Sequence, residues 1–358
     1  MAKKIKRIVV TGGPCGGKTT GMSWIQNAFT ERGYKVIFVA ETATELINSG
    51  VTPRSVSNRI FQLAQSRLQQ NKQYVYEKIA EDLDCDKVLI VYDRGTLDGK
   101  AFCKEGVFEE VLKDANKTEV EFRDYYDAIF HLVTAAKGAE EFYTLENNSA
   151  RTETIEESRI ADDNCIKAWT GHPHFRIIGN EGTFEDKMKH LISEISKVLG
   201  EPELAEAKKK YLIEMPNVSI LEKMKKVEIY QSYLKCDEDE KIQIRKRGEG
   251  DDFIYYQIKT TVKNDQIIKV EKRLTKEEYQ EKLVDIDPTR KPLHRTRYCF
   301  IEQDQYMEIN IYPFWDDKAI LSIDLSKVDD EVHLPKFVKV IEDITNRKEY
   351  LNSELSKL

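Results

Sequence analysis

Apolar residues in this chain follow two different periods, and the change falls just past its middle. In the first two hundred residues, short continuous apolar runs alternate with stretches of helical spacing. Ile8-Val9-Val10, Tyr34 to Ala40, Val88 to Asp93, Asp127 to Val133 and Phe175 to Gly179 read as buried strands. Lys18 to Arg32 reads as a helix, with Met22, Ile25, Ala28 and Phe29 on one face and Gly33 as its stop. Pro53 to Leu83 is a long helical stretch with apolar spacing through Ile60, Ala64, Leu68, Val75 and Ile79, and with Arg54, Arg59 and Arg67 on a solvated face. Thr183 to Leu199 is an amphipathic helix through Phe184, Met188, Leu191, Ile192, Ile195 and Leu199. Strands alternating with helices predict a parallel sheet with right-handed crossovers and helices on both faces.

Gly200-Glu201-Pro202 ends that pattern. From Tyr211 the period becomes two. Tyr211–Glu214, Val227–Leu234, Lys241–Arg247, Phe253–Thr260, Gln266–Arg273, Thr296–Glu302, Tyr306–Tyr312 and Ala319–Leu325 alternate as strands between turns. Eight such strands with few helices predict an antiparallel barrel or a deep, curved sheet. The expected division is therefore 1–200 for an α/β domain and 205–358 for an α+β antiparallel domain.

Length agrees, since 358 residues exceed what one core usually holds. Composition excludes more than it selects. Charged residues are 33%, mean hydropathy is −0.56 and net charge is −7, which argues against bulk nucleic-acid or membrane adhesion. No run approaches a membrane span, and Met1-Ala2-Lys3-Lys4 lacks a signal-peptide core. Cys15, Cys85, Cys103, Cys165, Cys236 and Cys299 are scattered, as expected for reduced cytoplasmic thiols, and Cys15 is a candidate oxidation-sensitive position.

Chemistry enters directly after the first strand. Gly12-Gly13-Pro14-Cys15-Gly16-Gly17-Lys18-Thr19-Thr20 fits G-x-x-x-x-G-K-[ST], the P-loop of nucleotide-binding proteins. Its glycines turn backbone N–H groups inward, Lys18 reaches the β/γ-phosphates and the Thr19 hydroxyl ligates Mg²⁺. The helix that follows adds its positive end. Val88 to Asp93 supplies the Walker B pattern, in which the aspartate helps hold Mg²⁺. Lys18 and Asp93 are thus candidate catalytic residues, and Thr19 and Asp93 the candidate metal ligands.

Further candidates surround this pair. Glu41 ends the second strand, where ligands of parallel sheets gather. Asp93-Arg94 resembles the Asp-Arg step of small-molecule kinases, which makes Arg94 a candidate for phosphate or substrate; Asp98 is a candidate substrate-side acid or base, with a capping or surface role standing equally beside it. Glu140 to His174 occupies the position of a lid, with Arg159, ahead of Arg151, as the residue that closes on the transferring phosphate. Asn180 lies where related folds contact the base. No Asn-Lys-x-Asp guanine signature is present, so GTP and ATP stay open. His172-Pro173-His174 reads as a structural turn.

In the second half, charges fall two apart on several strands: Arg245 and Arg247, Glu271 and Arg273, Arg295 and Arg297. Residues i and i+2 share a face, so repetition predicts a charged interior. Arginines there, with Lys259, suit a polyanion.

Ile229-Tyr-Gln231-Ser-Tyr233, Ile244-Arg245-Lys-Arg247, Arg295-Thr-Arg297-Tyr298 and Glu342-Asp-Ile-Thr345 resemble the CYTH, or triphosphate tunnel, family. The order of the two halves resembles the TRPL translocation defect protein family, and the first half also resembles the nicotinamide riboside kinase part of bacterial NadR proteins. The resemblance implies a P-loop NTPase domain followed by an antiparallel tunnel domain. It implies a cytoplasmic GTP-binding protein whose tunnel binds phosphoinositides and which acts in membrane trafficking. Where tunnel hydrolases carry E-x-E-x-K, this chain has Glu206-Ala207-Lys208-Lys209-Lys210, and later acidic pairs fall on Ser322 and Asp324 and on Glu308 and Asn310. Acids are thinned while Arg245, Arg247, Lys259, Arg273, Arg295 and Arg297 persist. That favours polyphosphate binding over hydrolysis. Two alternatives stand beside this nucleotide switch: a nucleoside-type small-molecule kinase, and a tunnel triphosphatase.

Overall fold

The computed structural model describes residues 3–142, 154–200, 208–236, 240–263, 266–325 and 330–358. Arg151 and Glu206 lie outside them. The chain forms two compact units, Met1–Leu199 and Gly200–Leu358.

In the first unit, β1 (Lys4–Thr11), β2 (Lys35–Val39), β3 (Lys87–Asp93), β4 (Ala128–Leu132) and β5 (Phe175–Ile178) form an all-parallel sheet in the order β2-β3-β1-β4-β5. Helices α1 (Lys18–Glu31), α2 (Thr42–Asn48), α3 (Asn58–Asp82), α4 (Val107–Ala115), α5 (Glu119–Arg123), α6 (Ile155–Trp169) and α7 (Phe184–Leu199) make the crossovers. Ile25 and Phe29 of α1 meet Leu191 and Ile195 of α7 over Ile8, Val10, Leu89, Val91 and Phe130 of the sheet. At about 25 cal/mol per Å² of buried apolar area, this layer is the main force holding β1 in the centre. The order puts β1 between β3 and β4, so three strand ends converge on the loop that leaves Thr11.

Helix α3 departs from the face expected of it. Its N-terminus is set at Ser57, whose hydroxyl accepts the Ile60 N–H, so the five residues from Pro53 stay outside the helix. The side it buries carries Phe61, Gln62, Gln69, Gln73 and Ala80, while Ile60, Leu68, Val75 and Ile79 are exposed. Hydrogen bonds allow the inversion. Gln69 accepts from the Thr42 hydroxyl at 2.6 Å and Gln73 donates to the Tyr126 hydroxyl at 2.8 Å. A buried amide with its partner in place is tolerated.

The second unit holds β6 (Lys208–Glu214), α8 (Val218–Leu221), β7 (Lys225–Leu234), β8 (Glu240–Glu249), β9 (Asp252–Lys263), β10 (Gln266–Leu274), α9 (Lys276–Lys282), β11 (Leu293–Glu302), β12 (Gln305–Ile311), β13 (Lys318–Asp324), β14 (Val340–Asp343) and α10 (Asn352–Leu355). Its strands form a separate antiparallel sheet in the order β10-β9-β8-β7-β11-β12-β13-β6-β14. The eight expected strands are all present. The ninth, β14, pairs with β6 through a bulge between Val340 and Glu342. Among the described residues no helix is long and apolar enough to cross a membrane.

Candidate functional site

The phosphate loop is shaped by what lies behind it. Gly12 has φ 140°, and a Cβ there would sit 2.1 Å from the Leu132 carbonyl oxygen. Gly16 faces the same oxygen, where a Cβ would stand at 2.6 Å. Both glycines are therefore required by the close approach of β4. Gly17, at φ 88°, caps α1 against the Phe184 ring. Cys15 takes a positive φ of 57° and its carbonyl accepts the Ala135 N–H, while the Pro14 carbonyl accepts from the Thr134 hydroxyl. Gly13 donates its N–H to Asp162 at 2.8 Å. Thr19 and Thr20 open α1 on its exposed side.

Lys18 folds back over this loop, its ammonium 3.2 Å from the Gly12 carbonyl and 3.1 Å from that of Gly13. Asp93 stands at the end of β3 in register with Val10. Its Oδ1 is buried and without a hydrogen-bond partner. Burial raises the pKa of Asp93, and the nearby Lys18 opposes that rise. A buried, unmatched carboxylate oxygen beside a phosphate-binding lysine is a donor that a hard cation satisfies. Together with the Thr19 hydroxyl it fits Mg²⁺, which keeps several waters and takes few protein ligands.

Arg94, Glu41 and Asp98 are brought together, but not all towards a substrate. Arg94 has φ 65° and its guanidinium donates to Glu41 at 2.6 Å and to Asp98 at 3.2 Å. Burial alone would raise Glu41, yet Arg94 and Lys18 hold it below the usual carboxylate range. Asp98 is completely buried. Its Oδ1 accepts from the Thr11 hydroxyl and Arg94, and its Oδ2 from the Gly95 N–H at 2.7 Å and the Trp169 indole at 3.3 Å. Of the roles left open for Asp98, the structure carries capping: four donors on a carboxylate without solvent make it a brace between β1, the turn after β3 and α6. Glu41 and Arg94 do line a cleft with Thr42, Gln62, Gln69 and Phe108.

Two further expectations move. Asn180 donates to the carbonyls of Thr134 at 2.8 Å and Lys137 at 2.7 Å, and accepts from Lys187 at 2.7 Å. Its amide therefore ties the loops after β4 and β5 together instead of facing a base. Arg159 lies on α6, with its guanidinium on the Ala136 carbonyl at 2.6 Å, Glu140 at 2.9 Å and Glu156 at 3.0 Å. It reaches the loop after β4. His172 is the structural turn expected, its Nδ1 accepting the His174 N–H and its Nε2 facing the Tyr126 carbonyl.

The residue that sequence reasoning missed is Asp162. Three residues after Arg159, it is fully buried and gathers the Gly13 N–H, the Thr134 N–H at 3.2 Å, His131 at 2.9 Å and Lys137 at 3.0 Å. Burial would raise it, but His131 and Lys137 hold it well below the ordinary carboxylate range. Its neighbours come from two distant stretches of chain, Gly13 in the phosphate loop and His131 to Lys137 in and after β4, so no local pattern marks it.

In the second unit, register decides which charges share a face. Arg273 of β10 faces Tyr256 of β9, Tyr256 faces Arg245, and Arg245 faces Gln231. Arg247 faces Ile229, which faces Arg295; Arg297 faces Asn310. Arg245, Arg247, Arg273, Arg295 and Arg297 therefore stand on one face. Lys259 does not. It pairs with Ile242, one position out of phase, and its ammonium meets Glu240 at 2.6 Å on a half-exposed surface. The period of two that unites the arginines excludes this lysine.

Arg247 and Arg295 are each 2% exposed. Arg297 binds Glu308 at 2.6 Å and Asn310 at 2.9 Å, and Glu308 carries it upward against burial. Arg245 and Arg295 share one neutral acceptor, Gln231 Oε1, at 3.4 and 3.3 Å, and the Nε of each is buried without a partner. Burial first, then Arg297 and a neighbouring arginine, push both below the usual arginine range. Glu271 acts against the fall at Arg245 and Glu308 against that at Arg295. A buried charge that is only partly compensated is costly, and an anion bound there would offset the cost.

Comparison with known proteins adds a family and a likeness. Residues 7–187 match the family described as AAA domain. No curated protein matches the chain. The solved structures similar to this chain include those described as the inorganic triphosphatase NE1496 and the hypothetical protein NE1496. The first is 16% identical over 43% of this chain and 95% of its own, with a TM-score of 0.32. The second is 17% identical over 42% and 97%, with a TM-score of 0.33.

Proposed function

The chain belongs to the AAA-domain family, and on that premise we propose a nucleotide-operated binding protein with one anion site in each unit. The first unit takes GTP or ATP with Mg²⁺. Lys18 and the loop amides hold the phosphates, while Thr19 and Asp93 hold the metal. When bound, Mg²⁺ neutralises charge on the β/γ-phosphates. The observation that carries this reading is the buried Asp93 oxygen without a partner next to Lys18. The second unit takes a phosphoinositide headgroup or a free polyphosphate on Arg245, Arg247, Arg273, Arg295 and Arg297. Nucleotide state then sets the affinity of the second site. On this reading the protein works in the cytoplasm, touching membranes peripherally as a regulator of trafficking.

The test has two arms. Lys18→Ala is expected to weaken nucleotide binding by at least about a hundredfold, measured by calorimetry with Mg²⁺. Unchanged affinity sinks the first half. Arg245→Ala with Arg297→Ala is expected to abolish binding to phosphoinositide vesicles or to tripolyphosphate. Retained binding to both sinks the second half, and retention of one names the source.

A second reading, transfer of phosphate to a small acceptor, has the cleft beside Glu41 and Arg94 in its favour. Labelled product from ATP and a nucleoside panel, lost in Lys18→Ala, would replace the switch with a kinase. Metal-dependent phosphate release that survives Lys18→Ala would point to a triphosphatase in the second unit.

A further inference from the structure

A nucleotide held by the phosphate loop must also place its base. The Asn180 amide is spent on Thr134, Lys137 and Lys187, so another residue has to receive it. Topology gives the direction. Asp93 ends β3 on one side of β1, with Lys18 near it, and Arg94 and Glu41 continue that side. Strands β4 and β5 lie on the other side of β1, about 5 and 10 Å away. A triphosphate whose outer end is held at Asp93 and Lys18 therefore sends its ribose and base towards the loop after β5.

That loop and the start of α7 are open. Residues 181–186 are all exposed, and Phe184 alone among them carries a ring, 51% exposed. Single exposed apolar residues are ordinary on a protein surface, so it is position that distinguishes this one. The Phe184 ring lies against Gly17, where a Cβ would stand 2.7 Å from its Cε2 and 3.1 Å from its Cζ. Gly17 caps α1, so the ring borders the helix start that receives the phosphates. Ile25 and Phe29 of α1 against Leu191 and Ile195 of α7 hold the two helices side by side. The start of α7 is itself fixed, since the Thr183 N–H and hydroxyl donate to Asp186 at 2.9 and 2.7 Å. On the Asp93 side, the exposed ring of Phe102 already has the Arg94 guanidinium 5.6 Å from its centroid. Among the described residues no ring and no cation stacks on Phe184.

We propose that Phe184 is the platform on which the nucleotide base stacks. This rests on the reading of the phosphate loop as a nucleotide site. The chain then holds the phosphates with backbone and Lys18, and the base with one aromatic face. Every base has a π-face, so one ring supplies affinity without choosing between guanine and adenine. A chain without the Asn-Lys-x-Asp signature needs a contact of that kind.

Calorimetry of the full chain with Mg²⁺ tests this, first-unit binding being the part that Lys18→Ala removes. Phe184→Leu keeps an apolar side chain against Gly17 but loses the π-face. It is expected to weaken both GTP and ATP by about tenfold or more. Pyrophosphate, which has no base, should bind the variant as it binds wild type. Phe184→Trp should keep wild-type nucleotide affinity, and its added indole fluorescence should fall with GTP or ATP and not with pyrophosphate. If Phe184→Leu binds both nucleotides as tightly as wild type, or weakens pyrophosphate equally, the proposal is overturned while the reading of the loop stands. A wild type without Lys18-dependent nucleotide binding overturns both.

Discussion

The two proposed anion sites are built from opposite materials. The phosphate loop is backbone: nine consecutive residues in which Gly12 and Gly16 are required because β4 passes too close for a Cβ. The arginine face is side chain, drawn from β8, β10 and β11, strands that lie far apart in sequence and meet only through register. One site keeps its positive groups on the surface of a helix end. The other buries guanidinium groups beside one another with fewer acids than charges. On the proposed reading Lys18 already has acceptors in the loop before a ligand arrives, whereas Arg245 and Arg295 each keep a buried Nε without a partner until one does.

The largest expected effect breaks the first site alone. Gly12→Ala places a methyl 2.1 Å from a backbone oxygen at φ 140°, and neither can give way cheaply. We expect a loss of roughly 3 kcal/mol of stability in the first unit and no measurable nucleotide binding. Polyphosphate binding by the second unit should survive, and if both are lost the sites are not separable. Next is Asp162→Asn. It keeps the shape but removes the charge that faces His131 and Lys137, at about 2–3 kcal/mol by chemical denaturation. With Gly13 less firmly held, nucleotide affinity should fall about tenfold. A variant as stable as wild type would mean that Asp162 does not brace the loop.

The difference in materials also explains what could be read from the chain. The P-loop, Asp93 and the five parallel strands are legible because each is a contiguous pattern with one structural meaning. The eight antiparallel strands are legible for the same reason, and so is the shared face of Arg245, Arg247, Arg295 and Arg297. Lys259 misleads because charge was counted without phase. Asp98 misleads because its neighbours Thr11 and Trp169, which saturate it, lie 87 and 71 residues away. Asp162 is silent for the same reason. On α3 the apolar stripe is real, but amide hydrogen bonds let Gln69 and Gln73 take the inside, which periodicity does not weigh.

Arg295→Met sharpens the comparison from the other side. Removing one charge from a face of like charges should stabilise the ligand-free protein by about 1 kcal/mol. In wild type, saturating tripolyphosphate should raise the melting temperature, since it binds only the folded state. In Arg295→Met that rise should be at most half as large. A variant that is less stable and still responds fully would show that the face is not under tension.

The smallest effect concerns Lys187, which supports the loops behind the phosphate site. It is buried, donates to the Val133 carbonyl at 2.6 Å and to Asn180, and burial pushes it down to about 8. Its pKa is lower folded than unfolded, so the unfolded chain binds more protons and stability rises with pH through this group. The penalty is fully present below about 8 and is gone above the unfolded value of 10.5. Between pH 7 and 9 the gain should be roughly 1 kcal/mol. Denaturation of wild type and Lys187→Met at both pH values isolates it, because every other group titrates in both proteins. Loss of that difference in slope is expected in the variant. Equal slopes would mean that Lys187 stays charged in the fold, and that the loops behind the phosphate site carry one more positive charge than their hydrogen bonds imply.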